Sequence, residues 1–228
     1  MSDVNVWYKI MQYAVGKNQS QGYLSPDDFY FSINQAQQSY CDYLLGEYQK
    51  YQIKRPIAAV EFSQNQRVRS SIAPLIYGTV LPINQTTGVA PFPSDFVQVD
   101  AMWSLYGIYD IRFVQQDSLN NYNRSAIDPI VQNPVYLMNH EGFQFFPTDP
   151  YGYTSSRMSY VRNPPSIVWG YNLDSNGIPV YNPATSQQPV WAESDGLNII
   201  VRALRIVGVN LDYNTVGQYA TEIKQIGQ

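Results

Sequence analysis

Residues 159–172 read SYVRNPPSIVWGYN and place one arginine directly before a double proline and a tryptophan, in a chain that otherwise avoids charge. Neither Pro164 nor Pro165 can donate to a β-ladder, so the strand spelled by RMSYVR must stop there. The residues that follow, SIVWGYNLDSNGIPVYNP, read as a hairpin, with Asn176-Gly177 supplying the positive φ angles of its turn. Upstream, PVYLMNHEGFQFFP reads as a second hairpin turning at residues 139–142. The middle of the chain is therefore β-rich.

Working outward toward the N-terminus, IAAVEFS at 57–63 and YGTVLPI at 77–83 read as strands, bounded by Pro, Gly and Asn. The stretch PFPSDFVQVDAMWSLYG carries an alternating strand. IYDIRFV sets Ile108, Asp110 and Arg112 against Tyr109, Ile111 and Phe113, so the two are expected as antiparallel neighbours. Between 115 and 129, QQDSLNNYNRSAIDP predicts a short helix ahead of Pro129.

Both ends of the chain read as helical. Val4, Trp7, Tyr8, Met11 and Val15 fall at helical spacing, with Asp3 as cap and Gly16 as stop. A longer helix is spelled from Pro26 to near residue 50: Ser25 caps it, Pro26 takes the first position, Asp28 completes a capping box and Leu24 staples onto Phe29. Its apolar stripe is Phe29, Ile33, Ala36, Tyr40, Leu44 and Tyr48. The opposite face, with Gln35, Gln38, Ser39 and Asp42, suits contact with a neighbouring copy and also plain solvent. Near the C-terminus Leu197, Ile200, Val201, Leu204 and Val207 form a stripe ending at Gly208, and Asp212 caps a final helix carrying Val216, Tyr219, Ala220 and Ile223. The expected class is α+β: terminal helices packed together around a central antiparallel region of short strands and hairpins, with divisions at 1–54, 55–192 and 193–228. No internal repeat is present.

Composition bounds what such a fold does. Only 14% of the residues are charged against roughly 25% in ordinary soluble domains, while 44% are hydrophobic and 20 are tyrosine. Few like charges keep copies apart, and tyrosine is enriched where protein faces meet, which suits a subunit of an assembly and also an extracellular β-rich domain. A net charge of −4 gives no grip on nucleic acid, which requires Lys and Arg to displace counterions. The start, interrupted by Asp3 and Lys9, lacks the apolar run of a signal peptide, so synthesis in the cytoplasm is expected. LNIIVRALRIVGV carries Arg202 and Arg205 and is too short to span a bilayer, so no membrane anchor is expected.

Catalytic chemistry finds little purchase. His140 is the sole histidine and falls in a turn; Cys41 is the sole cysteine and has no basic neighbour in sequence to lower its pKa. No phosphate-binding glycine loop or nucleophile elbow occurs. Asp149 and Glu141 are the sort of pair that could flank a glycosidic bond, and Trp169, Tyr171 and Trp191 could stack on sugars or fill the sheet's own core. No catalytic residue, cofactor or metal site is expected.

The ordered set SPDDFYFSINQAQQSYCDYLLGEY, FPSDFVQVDAM, NPVY with EGFQFFP, YVRNPPSIVWGY, PVW and LNIIVRALRIVGVNL resembles the neck, or head-to-tail connector, ring proteins of tailed bacteriophages, especially those of crAss-like and related podoviruses. The likeness spans nearly the whole chain. It implies a non-enzymatic virion subunit in a homo-oligomeric, dodecameric ring stacked under the portal protein. Such a ring touches other neck or tail proteins and continues a channel through which genomic DNA passes without specific binding. The alternative is a carbohydrate-binding or depolymerising tail component.

Under that resemblance, strands stopped by proline limit runaway edge pairing between identical neighbours. Arg162 is then a donor to a neighbouring carboxylate or carbonyl and Trp169 an interface anchor, unless both serve the subunit's own fold. The candidate interface residues are Tyr160, Arg162, Trp169, Tyr171, Trp191, Asp212 and Tyr219, with the polar segment 212–228 expected to order on docking to the portal or the next ring.

Overall fold

The computed structural model describes residues 3–18, 23–53, 59–106, 109–122, 129–130, 132–147 and 154–209, together with 218 and 221. Its helices are α1 (Val4–Asn18), α2 (Pro26–Ile53), α3 (Ala59–Ile72), α4 (Gln116–Tyr122) and α5 (Glu193–Ile206). Its strands are β1 (Ile76–Pro82), β2 (Val89–Ala90), β3 (Phe96–Ser104), β4 (Arg112–Phe113), β5 (Val135–Asn139), β6 (Gly142–Phe146), β7 (Ser155–Arg162), β8 (Tyr171–Leu173) and β9 (Pro179–Tyr181). The fold is α+β.

The chain divides into two compact units: Met1–Pro74 with Pro164–Gln228, and Leu75–Asn163 between them. The division places the double proline at a unit boundary. Strand β7 ends at Arg162, Asn163 closes the inserted unit, and Pro164 begins the return to the helical one. The boundaries of this division lie at Leu75 and Asn163.

In the helical unit, α1 starts at Asp3, whose side chain accepts the Asn5 N–H, and it runs past Gly16 to Asn18. Helix α2 starts as spelled, with Ser25 Oγ accepting the Asp28 N–H at 3.1 Å. The Asp28 carboxylate departs from the expected box: it accepts the Ser25 hydroxyl at 2.6 Å, locking the cap's own side chain. Phe29, Ile33, Ala36, Tyr40 and Leu44 are buried, so the stripe read from sequence is the packing face; the side chain of Tyr48 lies outside the described residues. Gln35, Gln38, Ser39 and Asp42 are exposed. Helix α2 packs on α3 and α5, and α1 also packs on α5. In α5 the buried line runs through Ile199, Ile200, Ala203 and Leu204, and Leu197 and Val207 sit half-buried at its margins.

One expectation is overturned here. The AVEFS of IAAVEFS does not form a strand: Ala59 opens α3, which runs on through Ile72, and residues 57 and 58 lie outside the described residues. A short apolar run fits either period. The following glutamines and arginines are good helix formers, and Arg69 in the last turn complements the helix dipole, so the helical choice extends to Ile72.

The inserted unit holds two sheets. One is three-stranded and antiparallel in the order β1-β7-β3; the other has the order β2-β6-β5-β4, with β4 parallel to β5. Residues 109–113 connect them. Ser104 donates to the Tyr109 carbonyl and Ile111 to that of Met102, in antiparallel fashion as expected, and then Arg112 and Phe113 pair with Val135 and Tyr136. The switch breaks the expected alternation, burying Ile111 and Val114 while Phe113 faces outward; Ile108 lies outside the described residues. Leu81, Met102, Met158 and Tyr160 from the first sheet join Tyr136, Phe143 and Phe145 from the second in one core.

Candidate functional site

The segment after the double proline is held by side chains of α2, and Trp169 sits at its end. One face of the indole stacks on Tyr8, with centroids 4.1 Å apart and planes at 22°. Tyr171 and Tyr181 lie near-parallel to it at 5.8 and 5.9 Å, and its Nε1 donates to Asn5 Oδ1 at 3.2 Å. Trp169 is consequently only 7% exposed. It is the floor of an aromatic stack inside its own unit. Tyr8 donates to the Leu24 carbonyl at 2.8 Å, and burial raises its phenol above the ordinary value, so it remains a donor.

Over this stack lies a groove of about 340 Å3, lined by Tyr8, Trp169 and Tyr181 with Tyr23, Lys9 and Gln12 at its sides. The hairpin β8–β9 forms its outer wall. Three apolar side chains on that hairpin stand largely in solvent: Leu173 at 65% exposure, Ile178 at 57% and Val180 at 53%. Five residues connect the strands, a longer turn than the dipeptide Asn176-Gly177 suggested. Asp174 Oδ1 accepts the N–H groups of Asn176 and Ile178, and Gly177 takes φ +76°.

The remaining expected residues fall elsewhere. Trp191 is buried, meets Tyr40 edge-on at 5.4 Å and donates to Gln37 Oε1 at 3.2 Å. Tyr160 is buried in the inserted unit, where it donates to Asp95 Oδ1 at 2.8 Å; burial and that carboxylate push its phenol up to about 12. Arg162 lays its guanidinium over the Tyr77 ring at 5.6 Å, and its Nε is buried without a hydrogen bond. Of the expected set, Tyr171 and Arg162 keep surface, whereas Tyr160, Trp169 and Trp191 fill the chain's own cores because each ring has partners there. Asp212 and Tyr219, like Asp149, lie outside the described residues.

His140 stands exposed at the β5–β6 turn, 3.9 Å from Glu141. Cys41 is buried, and burial together with Asp42 pushes its thiol up to about 11, away from the thiolate a nucleophile needs. Among the described residues no cluster of His, Cys, Asp and Glu could hold a metal ion, and no helix is long and apolar enough to cross a membrane.

Two residues that sequence reasoning left unassigned turn out to organise the site: Asn34 and Gln37, polar groups flanking the apolar stripe of α2. Their signal was present, since two amides three residues apart share a helix side. The stretch they grip is 128 to 133 residues away in sequence and invisible from α2 alone. No protein-family model matches the chain, and no curated protein matches it significantly.

Proposed function

We propose that the chain is a structural subunit of a tailed-phage virion neck, forming a homo-oligomeric ring between portal and tail. The observation that carries this reading is the exposure of three apolar side chains, Leu173, Ile178 and Val180, on one hairpin of a chain with so few charges. Single exposed apolar residues are ordinary, but the register sets Leu173 on one face of the hairpin and Val180 on the other, so this small element offers apolar surface on both sides to a covering partner. A ring supplies that cover with the next copy, repeated around the axis. The ordered motifs around YVRNPPSIVWGY add the neck as the place, with the portal and other neck or tail proteins as partners. Low positive charge suits a channel through which DNA must slide.

The alternative, a carbohydrate-binding or depolymerising tail component, requires an open aromatic face. Tyr8 covers one face of Trp169 at 4.1 Å, and the groove lined by Tyr8, Tyr23, Trp169 and Tyr181 is the surface on which a sugar would stack under that reading. Negative-stain microscopy and sedimentation of the purified chain, alone and mixed with its portal, test the proposal. Rings of uniform rotational symmetry, or an added layer on the portal, support it. A monomer that ignores the portal overturns it, and glycan binding by that monomer would favour the alternative.

A further inference from the structure

Within the helical unit, α2, α3 and α5 enclose a cleft of about 720 Å3, in the size range of small-ligand sites. Asp195 lies on its wall in the first turn of α5 and is only 6% exposed. Its Oδ1 accepts two hydroxyls, from Tyr40 at 2.8 Å and from Ser71 at 3.2 Å. Burial, and then Asp195 itself, raise the Tyr40 phenol above its ordinary value, so Tyr40 stays a donor. Asp195 Oδ2 accepts no hydrogen bond from the described residues, and the carboxylate makes no ion pair with them.

Buried carboxylates are ordinarily paired with a cation, because leaving the charge uncompensated is costly. The α5 N-terminus offsets part of that charge. Two arginines line the cleft and neither pairs with Asp195: Arg67 on α3 is exposed, while the Arg202 guanidinium lies 5.6 Å over the Tyr40 ring and 5.2 Å over that of Tyr43, with Nη1 reaching Ser39 Oγ on the outer side of α2. A metal would need several convergent oxygens, which the described residues do not bring together.

We infer that this cleft binds a cationic nitrogen group, an ammonium or guanidinium, whose N–H donors fill Asp195 Oδ2. The group comes either from a side chain of a second copy or from a free small amine. The inference stands apart from the ring reading, since binding is measured whether or not rings form.

The test is calorimetric titration of the full chain with ethylguanidine and with n-butylamine at millimolar concentration, accompanied by sedimentation velocity. Saturable binding is expected, weakened about tenfold or more by Asp195→Asn, the scale of a lost hydrogen bond to a charge. Should Asp195→Asn fail to fold, Ser71→Lys supplies an internal ammonium beside the carboxylate and is expected to abolish binding while the circular dichroism spectrum is kept. If the natural donor is a second copy, the probe also dissociates the oligomer; if it is a free amine, oligomer size stays constant while binding heat persists. Absence of both binding and dissociation overturns the inference, as does undiminished binding in the folded variants.

Discussion

Asn34 pairs with Ile167 as a second peptide group would: its Nδ2 donates to the Ile167 carbonyl at 2.9 Å and its Oδ1 accepts the Ile167 N–H at 2.8 Å. Gln37, one turn on, donates to the Pro165 carbonyl at 3.1 Å while accepting the Trp191 indole. Backbone that the two prolines exclude from a ladder is thus satisfied by side-chain amides. Asn34→Ala should lower the unfolding free energy by about 2–4 kcal/mol, from two lost bonds and two backbone groups left wanting. Gln38→Ala, on the exposed side of the same helix, should stay within about 0.5 kcal/mol. Urea midpoints measure both, and equal shifts would contradict the assignment.

Two helical glycines should respond to alanine with opposite sign. A Cβ on Gly46, within α2, meets no atom within 4 Å, so Gly46→Ala should stabilise by about 0.5–1 kcal/mol through backbone entropy. On Gly196, in α5, it would stand 2.5 Å from Cζ2 of the buried Trp7. Overpacking of about 1–3 kcal/mol then outweighs the propensity gain, and Gly196→Ala should destabilise. Adding Trp7→Phe to Gly196→Ala should recover part of the loss, in the same denaturation series.

How far these features were legible follows from the range of the interactions behind them. Ser25, Pro26 and Asp28 announce α2 within four residues, and the stripe from Phe29 to Leu44 names its buried face, because caps and periodicity are local. IAAVEFS misled because seven residues fit two periods, and what decided the matter was the polar helix-forming run after it. Nor does any local signal tell that residues 164–192 return to the helical unit. Pro164 and Pro165 end a strand, and only Asn34 and Gln37 show where the chain goes next.

The candidate site was legible in part. Trp169, Tyr171 and Trp191 were singled out as aromatic, but whether an indole faces a neighbour or its own core depends on Tyr8, Asn5 and Gln37, all more than 150 residues away. Asp195 went unremarked because a carboxylate in a first helical turn is ordinary. Its interest comes from burial beside Tyr40 and Ser71, elements that only the fold assembles.

Alkaline pH should weaken the fold in two stages. Burial, then Asp42, raises the Cys41 thiol from 9.0 to about 11, and burial alone raises Tyr136 from 10.0 to about 12. Both groups are neutral when protonated, so the unfolded chain releases their protons first. Their contribution is whole below pH 9 and is lost as pH rises through 9–11 for the thiol and 10–12 for the phenol. The urea midpoint should be flat below pH 9 with respect to these groups and fall above it. Cys41→Ala should remove the earlier part of that fall, and an unchanged profile in Cys41→Ala would show that the thiol is not responsible.

The hairpin offers the sharpest test of assembly, because its contribution to the fold and to self-association are separable. Leu173 and Val180 stand more than half in solvent, so charging them should leave monomer stability within about 0.5 kcal/mol. Tyr171 and Tyr181, which pair across the same strands and lie beside Trp169, are left intact. If neighbouring copies cover both faces of this hairpin, each carboxylate introduced by Leu173→Glu on one face and Val180→Glu on the other must be desolvated whenever a ring closes, a cost repeated at every interface. The double variant should therefore remain monomeric at concentrations where the parent sediments as a ring, with the same circular dichroism and urea midpoint. Rings formed by the double variant as readily as by the parent would remove the hairpin from the interface.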